Sequence, residues 1–131
     1  MSSNTTELSI ILPALNEARS LETLIPELQH AFPDAEIIVV DDGSADDTAD
    51  TCTRLGCHRV ANPYRMGNGA AIKRGARAAR GDNLAMIDAD GQHTARHLLQ
   101  LWQRFRSQDC DMVLGARDQK DHASLFRRVG T

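Results

Sequence analysis

Two pairs of acidic residues each follow an apolar run of the sequence. Asp41 and Asp42 end one run, and Asp88 and Asp90 end another. Carboxylates that are brought close together repel one another unless a cation or hydrogen-bond donors accept their charge. Oxygen ligands suit Mg²⁺ and Mn²⁺, which keep coordination positions open for water and substrate phosphates. We therefore predict a divalent-metal site with Asp88 and Asp90 as ligands, in which a glycine turn lets the Gln92 oxygen join them.

Other polar residues near these pairs have simpler interpretations. Ser44, Asp46 and Thr94 each precede a helical pattern, and such side chains commonly accept hydrogen bonds from the first free N–H groups of a helix. We predict that all three are helix caps. A single histidine beside a turn is more often a surface residue than a ligand, so we interpret His93 as a surface or supporting residue.

Three further features could meet a phosphate group. The segment Arg65–Lys73 carries a Gly-x-Gly fragment before a helical pattern. It completes neither a dinucleotide fingerprint nor a P-loop, so a phosphate loop and a simple helix-opening turn stay open as alternatives. Lys73, Arg77 and Arg80 form a basic stripe, which we interpret as a solvated helix face. Arg117 ends the last apolar run, where its guanidinium could bind a phosphate through two hydrogen bonds.

Apolar runs alternate with amphipathic patterns along the whole chain. This order predicts an α/β fold with a mostly parallel, twisted sheet flanked by helices on both faces, which binds ligands beyond the carboxyl ends of its strands. Pro26 lies inside the first helical pattern and should kink that helix or mark a later start. Small residues such as Ala71 and Gly75 predict a helix that lies close on the sheet. The predicted strands are 8–12, 36–40, 58–61, 83–88 and 111–115, and the predicted helices are 21–28, 48–55, 70–79 and 98–105.

The composition sets the class of protein. With 131 residues, 41% hydrophobic and 25% charged, the chain is expected to form a single soluble globular domain over residues 1–131. A net charge of -3 gives no overall attraction to nucleic acid. The 3 cysteines lack CxxC spacing, which argues against a zinc site or disulfide framework and favours the cytoplasm. We expect no signal peptide, and no run approaches the roughly 20 apolar residues that cross a bilayer.

Several segments, taken in order, resemble the motifs of family 2 glycosyltransferases with the GT-A fold. The resemblance is strongest to polyprenyl-phosphate mannose or glucose synthases of the dolichol-phosphate mannosyltransferase type. It extends over roughly residues 8 to 130, and its specificity lies in the collinear order of the segments. The matching segments are Leu12-Pro-Ala-Leu-Asn-Glu17, Val39-Val-Asp-Asp-Gly-Ser44, Met66-Gly-Asn-Gly-Ala70, Asp88-Ala-Asp-Gly-Gln-His93 and Gly115-Ala-Arg117.

The resemblance implies a nucleotide-diphosphate-sugar donor, bound by the Rossmann-like half of a GT-A fold. Asp90 and Gln92 would bind Mg²⁺ or Mn²⁺, with help from Asp88. Asp90 and Arg117 would be the catalytic residues, since the ion and the guanidinium stabilise the charge that grows on phosphate. Leu15 stands where an aromatic residue is often found. The implied nucleotide-sugar-binding residues are Pro13, Leu15, Glu17, Val40, Asp42, Asp88 and Ala89.

The implied reaction is displacement at the anomeric carbon with inversion. A polyprenyl phosphate acceptor is already ionised near neutral pH, so it needs positioning more than a general base. The resemblance implies that the segment 124–131 opens an amphipathic, membrane-facing helix, and a frayed tail at Phe126, Arg127 and Arg128 stays open as the alternative. On this basis the chain is expected to be the nucleotide half of a longer cytoplasmic protein associated with the cytoplasmic face of the membrane. Assembly into a homo-oligomer stays open.

Two other functions compete with this interpretation. A non-catalytic nucleotide-sugar-binding module would explain the missing acceptor half. A receiver-like phospho-acceptor domain would explain the size, the alternating strands and an acidic pair. The acidic pairs here follow the second and fourth predicted strands, and Arg117 rather than a lysine follows the fifth, so the receiver interpretation is the weaker one.

Overall fold

A computed structural model describes residues 6–90, 94–108, 112–115 and 124–128, and it describes side chains over 7–90 and 94–108. The chain alternates strands and helices until its last two strands. In chain order the elements are β1 (Thr6–Ala14), α1 (Ala18–Ala31), β2 (Glu36–Asp41), α2 (Thr48–Leu55), β3 (His58–Ala61), α3 (Asn68–Ala78), β4 (Gly81–Met86), α4 (Ala95–Ser107), β5 (Met112–Gly115) and β6 (Ser124–Arg128).

The strands form a single sheet in the order β3-β2-β1-β4-β6-β5. Strands β1 to β4 are parallel, whereas β6 runs antiparallel to both of its neighbours, β4 and β5. The predicted α/β class with a mostly parallel sheet is confirmed. Among the described residues, no helix has the length and apolar composition needed to cross a bilayer.

The strand β6 corrects the prediction that residues 124–131 open a helix. Its backbone pairs on both sides, with Phe126 opposite Ala85 of β4 and Val113 of β5. Strand formation depends more on such neighbours than on local pattern, so pairing on both sides overrides the amphipathic signal of the segment. The predicted helix was therefore wrong over the described part, 124–128.

Helices cover both faces of the sheet, as predicted. One core lies beneath α1, α2 and α4, and a smaller core on the opposite face lies beneath α3. The helix α3 sits close to the sheet because Gly75 has no side chain. A Cβ atom there would lie 2.5 Å from Cγ2 of Ile11 and 3.1 Å from Cγ2 of Val40. Ala71, one turn earlier, is also fully buried, so the predicted close packing is confirmed.

The first helix runs through its proline. It begins at Ala18 and continues past Pro26 to Ala31, so of the two expected outcomes the later start was wrong, and the kink stays a prediction. The residues on either side of the interruption, Glu22 and Pro26, lie on the exposed face. The Glu22 carbonyl, which lacks its usual N–H donor, can therefore be satisfied by water, which lowers the cost of the proline.

Candidate functional site

The carboxyl ends of β1 and β4 flank the point at which the strand order reverses. The chain builds β2 and β3 on one side of β1 and then returns to place β4 on the other side. Ligands of α/β sheets bind in the crevice at such a point. We call the segments that follow β1, β2 and β4 the rim; they are Leu15–Glu17, Asp42–Asp46 and Ile87–Asp90.

Carboxylates from different segments gather at the rim around Glu17, which is half-buried. Burial raises the pKa of Glu17, and the negative charge of Asp90 raises it further; Asp46 and Asp88 add to the effect, while a hydrogen bond from Ser20 opposes it. The predicted convergence of the two acidic pairs is therefore present only in part: Asp88 and Asp90 converge with Glu17 and Asp46 rather than with Asp41 and Asp42.

Asp42 has a structural role that the sequence did not reveal. Its buried carboxylate accepts hydrogen bonds from Nδ2 of Asn62 at 2.8 Å, from the Met66 N–H at 2.8 Å and from the Gly67 N–H at 2.9 Å. Burial alone would raise the pKa of Asp42, but these bonds and the charge of Arg65 outweigh it and lower the pKa. Asp42 therefore clamps the loop 62–67 that leads into α3.

This clamp also bears on the two interpretations of the Gly-x-Gly fragment. Gly67 stands at the N-cap of α3 with φ 96°, a left-handed conformation that favours glycine. Its N–H and that of Met66 are already bound to Asp42. Two N–H groups of the turn are therefore held by the protein, which favours the helix-opening interpretation, while the phosphate loop stays open as the alternative.

The neighbouring Asp41 is likewise occupied by protein donors. Oδ1 of Asp41 accepts the Ser44 N–H at 2.8 Å, and Oδ2 pairs with the Arg59 guanidinium at 2.9 Å. Asp41 is buried, so these contacts neutralise a charge that would otherwise be costly. This aspartate holds the strand end together.

Asn16 joins two segments of the rim and was also missed from the sequence. It adopts φ 56° and accepts hydrogen bonds at Oδ1 from the N–H groups of Ala45, at 2.7 Å, and Asp46, at 3.3 Å. Its own N–H donates to Oγ of Ser44 at 2.9 Å. Ser44 therefore supports Asn16, and the prediction that Ser44 caps a helix was wrong. Asparagine tolerates the left-handed conformation better than most residues, and this was the only local signal.

Of the other two predicted caps, Thr94 is confirmed as the N-cap of α4, whereas Asp46 lies one residue before the N-cap of α2, Asp47. Oδ1 of Asp46 accepts the Thr48 N–H at the start of α2, and Oδ2 accepts the Ala18 N–H at the start of α1. Oγ1 of Thr94 accepts the His97 N–H at the start of α4. Asp46 thus ties the first turns of two helices together beside Glu17.

The remaining predicted nucleotide-binding residues lie near the ends of the strands. Pro13 and Val40 are partners in the register of β1 and β2, and both are buried. Because the Val40 side chain faces α3 at Gly75, only its main chain could face a ligand. Ala89 is buried, and Leu15 is half-buried beyond β1.

The predicted metal ligands are only partly described. Asp88 and Asp90 are half-buried beyond β4, and each interacts with neighbouring groups. Within the described ranges, no group of three His, Cys, Asp or Glu side chains is arranged to hold a metal ion. Gln92, His93 and Arg117 lie outside the described residues. The oxygen donors of Asp88 and Asp90, beside the crowded carboxyl of Glu17, nevertheless fit a hard divalent cation.

Comparison with known proteins places this arrangement in a family. The model of the family described as "Glycosyl transferase family 2" matches residues 9–131. The chain belongs to glycosyl transferase family 2. A receiver-like domain is thereby excluded, and the resemblance noted in the sequence is confirmed.

Two curated relatives illustrate the family. Glycosyltransferase AglD of Haloferax volcanii is 37% identical over 129 residues, which covers 90% of this chain and 21% of AglD. A dolichol-phosphate mannosyltransferase of Mycosarcoma maydis is 32% identical over 128 residues, which covers 88% of this chain and 43% of the mannosyltransferase. This family 2 chain therefore spans less than half the length of either relative.

A solved structure shares the fold. Glucosyl-3-phosphoglycerate synthase from Mycobacterium tuberculosis, in complex with Mn²⁺, uridine diphosphate and phosphoglyceric acid, superposes with a TM-score of 0.76 at 27% identity. The match covers 87% of this family 2 chain and 44% of the synthase. The GT-A assignment predicted from the sequence is confirmed.

Proposed function

We propose that residues 1–131 form the nucleotide-sugar-binding domain of an inverting glycosyltransferase that moves mannose or glucose from a nucleotide-diphosphate sugar to a polyprenyl phosphate. The observation that carries this proposal is the gathering of Glu17, Asp88 and Asp90 at the switch point of the sheet. A diphosphate could approach so much negative charge only with a cation between them. The relatives support the proposal, since one is named a dolichol-phosphate mannosyltransferase and another was solved with Mn²⁺ and uridine diphosphate.

In this proposal Asp88, Asp90 and Gln92 hold Mg²⁺ or Mn²⁺. An ion held by these residues would supply positive charge that stabilises the leaving diphosphate. Arg117 adds a second positive charge, either to the donor or to the acceptor phosphate. Nucleoside and ribose would lie against residues at or just beyond the carboxyl ends of β1 and β2, namely Pro13, Leu15, Glu17, Val40 and Asp42, with Ala89 beside the phosphates.

The acceptor is proposed on chemical grounds. A lipid phosphate is ionised near neutral pH and can attack the anomeric carbon once it is positioned, so the transfer needs no general base. Such an acceptor would place the protein at the cytoplasmic face of a membrane. The chain spans less than half the length of either relative described above. Donor binding is therefore a more direct test of this chain than sugar transfer.

The substitution Asp90→Asn tests the metal-dependent donor site. It removes one charge from the ion's ligands with little change of shape, and we expect donor binding to weaken by roughly 10-fold to 100-fold, the range for perturbed metal sites. Calorimetry with UDP-glucose and GDP-mannose, each with Mn²⁺ or with a chelator, would measure this.

Asp82→Asn is the matched control because Asp82 is exposed at the opposite end of β4. It should leave donor binding unchanged. A folded chain that binds neither donor in the presence of Mn²⁺ would contradict the proposal.

A second candidate is a non-catalytic nucleotide-sugar-binding module. It is supported by the carboxylates gathered at the rim, Glu17, Asp88 and Asp90, which could bind a donor with its ion whether or not a sugar is then transferred. Transfer of labelled sugar to a polyprenyl phosphate by this chain alone would eliminate it. Donor binding without any transfer would favour it.

A further inference from the structure

The exposed large hydrophobic side chains among the described residues lie together. They are Tyr64, 66% exposed, and Met66, 43% exposed, and both belong to the loop between β3 and α3. Single exposed apolar residues are normal on protein surfaces. Two on one short loop form a local apolar surface that the fold leaves uncovered.

Cationic side chains of α3 share a groove with Met66. This groove of about 560 Å³ is lined by Val60 and Met66 together with Lys73, Arg74 and Arg77. None of these three cations forms a salt bridge with any residue of the described ranges. We call Tyr64, Met66, Lys73, Arg74 and Arg77 the α3 patch.

The backbone holds the apolar part of the patch in place. The Met66 N–H is bound to the buried carboxylate of Asp42. Gly43 packs against the same loop so closely that a Cβ there would lie 2.9 Å from the Arg65 nitrogen and 3.1 Å from the Tyr64 carbonyl carbon. The loop is therefore fixed while its two side chains point outward, so little conformational entropy would be lost on docking.

We propose that the α3 patch docks on the surface of an anionic lipid bilayer. Tyr64 has an apolar ring with a polar tip that suits the interface between headgroups and acyl chains, and Met66 adds a flexible apolar contact. Lys73, Arg74 and Arg77 carry long apolar stems with charged ends that can meet lipid phosphates. The attraction must be local, because the chain as a whole carries a charge of -3.

The composition of the patch favours lipid over nucleic acid. Single-stranded nucleic acid is held by successive aromatic stacking platforms, whereas the α3 patch has one aromatic residue, Tyr64. Its second apolar residue, Met66, offers no ring for a base to stack on. The inference deepens the proposed function, which already places the protein at a membrane: it rests on that proposal for the presence of a bilayer and adds the surface that docks.

Vesicle binding by the whole chain tests the inference. We expect the protein to co-float with vesicles of phosphatidylcholine containing about one third phosphatidylglycerol, and not with phosphatidylcholine alone, because the contact is largely electrostatic. The double variant Lys73→Gln and Arg77→Gln should lower partitioning about 25-fold, at roughly 5-fold for each charge removed. Tyr64→Ser with Met66→Ser should also lower it.

The double variant Arg96→Gln and Arg104→Gln is the matched control. It removes the same charge from exposed positions of α4, on the opposite face of the sheet, and should leave partitioning unchanged. Equal weakening by both charge variants, or no binding to anionic vesicles by the parent, would overturn the inference. The inference would also be overturned if single-stranded RNA displaced the protein fully from vesicles and still bound the Tyr64→Ser, Met66→Ser variant. Calorimetry of donor binding on the same samples would show whether the proposed function fails as well. Donor binding without vesicle binding would contradict only the docking inference.

Discussion

Two carboxylates at the rim experience opposite environments. Asp42 is buried and its oxygens accept N–H groups from the loop before α3, which lowers its pKa against the effect of burial. Glu17 is half-buried, and burial together with neighbouring carboxylates raises its pKa. Hydrogen-bond donors of the protein stabilise the charged form of Asp42, whereas burial and neighbouring carboxylates disfavour the charged form of Glu17. Direct contact between Asp42 and a nucleoside stays a prediction.

Replacing Asp42 by asparagine should destabilise the fold in a pH-dependent way. Hydrogen bonds to a charged acceptor contribute about 1.5–3 kcal/mol each, so we expect the free energy of unfolding to fall by about 2 kcal/mol or more at neutral pH. The pKa of Asp42 in the folded state is lowered below its ordinary value of 3.8. The wild-type protein is therefore more stable than the variant by the full amount at any pH above 3.8. The advantage is lost as pH falls through the folded pKa.

Urea denaturation of wild type and D42N between neutral and strongly acidic pH would measure this effect. Asp34→Asn, at an exposed position outside the network, is the control and should show no comparable loss. A D42N variant as stable as wild type at neutral pH would show that the clamp contributes little.

Glu17→Gln should weaken donor binding and raise the free energy of unfolding at neutral pH. A carboxyl whose folded pKa is raised destabilises the folded state as pH rises above its ordinary value of 4.5. Removing this charge should raise the free energy of unfolding at neutral pH without metal, by only a few tenths of a kcal/mol because solvent screens the repulsion. The same change should weaken Mn²⁺-dependent donor binding roughly tenfold.

Thermal unfolding and calorimetry on one sample would test both parts. Glu27→Gln, at an exposed position of α1, should change neither quantity. Loss of stability in E17Q would mean that the carboxyl is satisfied by the protein rather than crowded.

The role of a site residue could be predicted from the sequence when its hydrogen-bond partners lie close to it along the chain. Thr94 precedes its helix directly and caps it, as predicted. The clamp of Asp42 on Met66 and the pairing of Asn16 with Ala45 join segments more than twenty residues apart. No spacing rule encodes those contacts, because the parallel sheet creates them by placing distant strand ends side by side.

At the scale of elements, the closeness of α3 to the sheet is a constraint with a clear test. Gly75→Ala puts a methyl group 2.5 Å from Ile11 Cγ2, and such overpacking typically costs about 1–3 kcal/mol. The gain of about 1 kcal/mol in helix propensity offsets only part of this cost. We expect G75A to lower the free energy of unfolding in urea.

Gly69 offers the matched control in the same helix. An added Cβ at Gly69 would meet nothing within 4 Å, so G69A should be neutral or stabilise by up to about 1 kcal/mol. If both variants were stabilised alike, the contact of α3 with Ile11 and Val40 would be looser than described.

The elements that the sequence predicted correctly have strong internal patterns. Continuous apolar runs marked β1, β2 and β4, and their positions hold to within a few residues. The strand β6 was missed because its identity comes from β4 and β5 on either side. A short segment with mixed polarity is decided by its partners rather than by its own residues.

At the scale of the whole molecule, the rim and the α3 patch are joined through one loop. Asp42 lies in the rim, and it holds the Met66 N–H from which the patch begins. If both proposals hold, a bilayer docked at the patch lies beside the site at which the donor binds. A lipid phosphate would then reach the rim without leaving its membrane.

The position of β6 between β4 and β5 also constrains the order in which the sheet can be completed. During synthesis from the amino end, β5 leaves the ribosome before its sheet partner β6 exists, while β4 waits with one edge open. Unpaired edges are prone to association with other chains. During synthesis there is therefore a stage at which β1 to β4 can form a sheet but β5 cannot join it, because β6 has not yet been made.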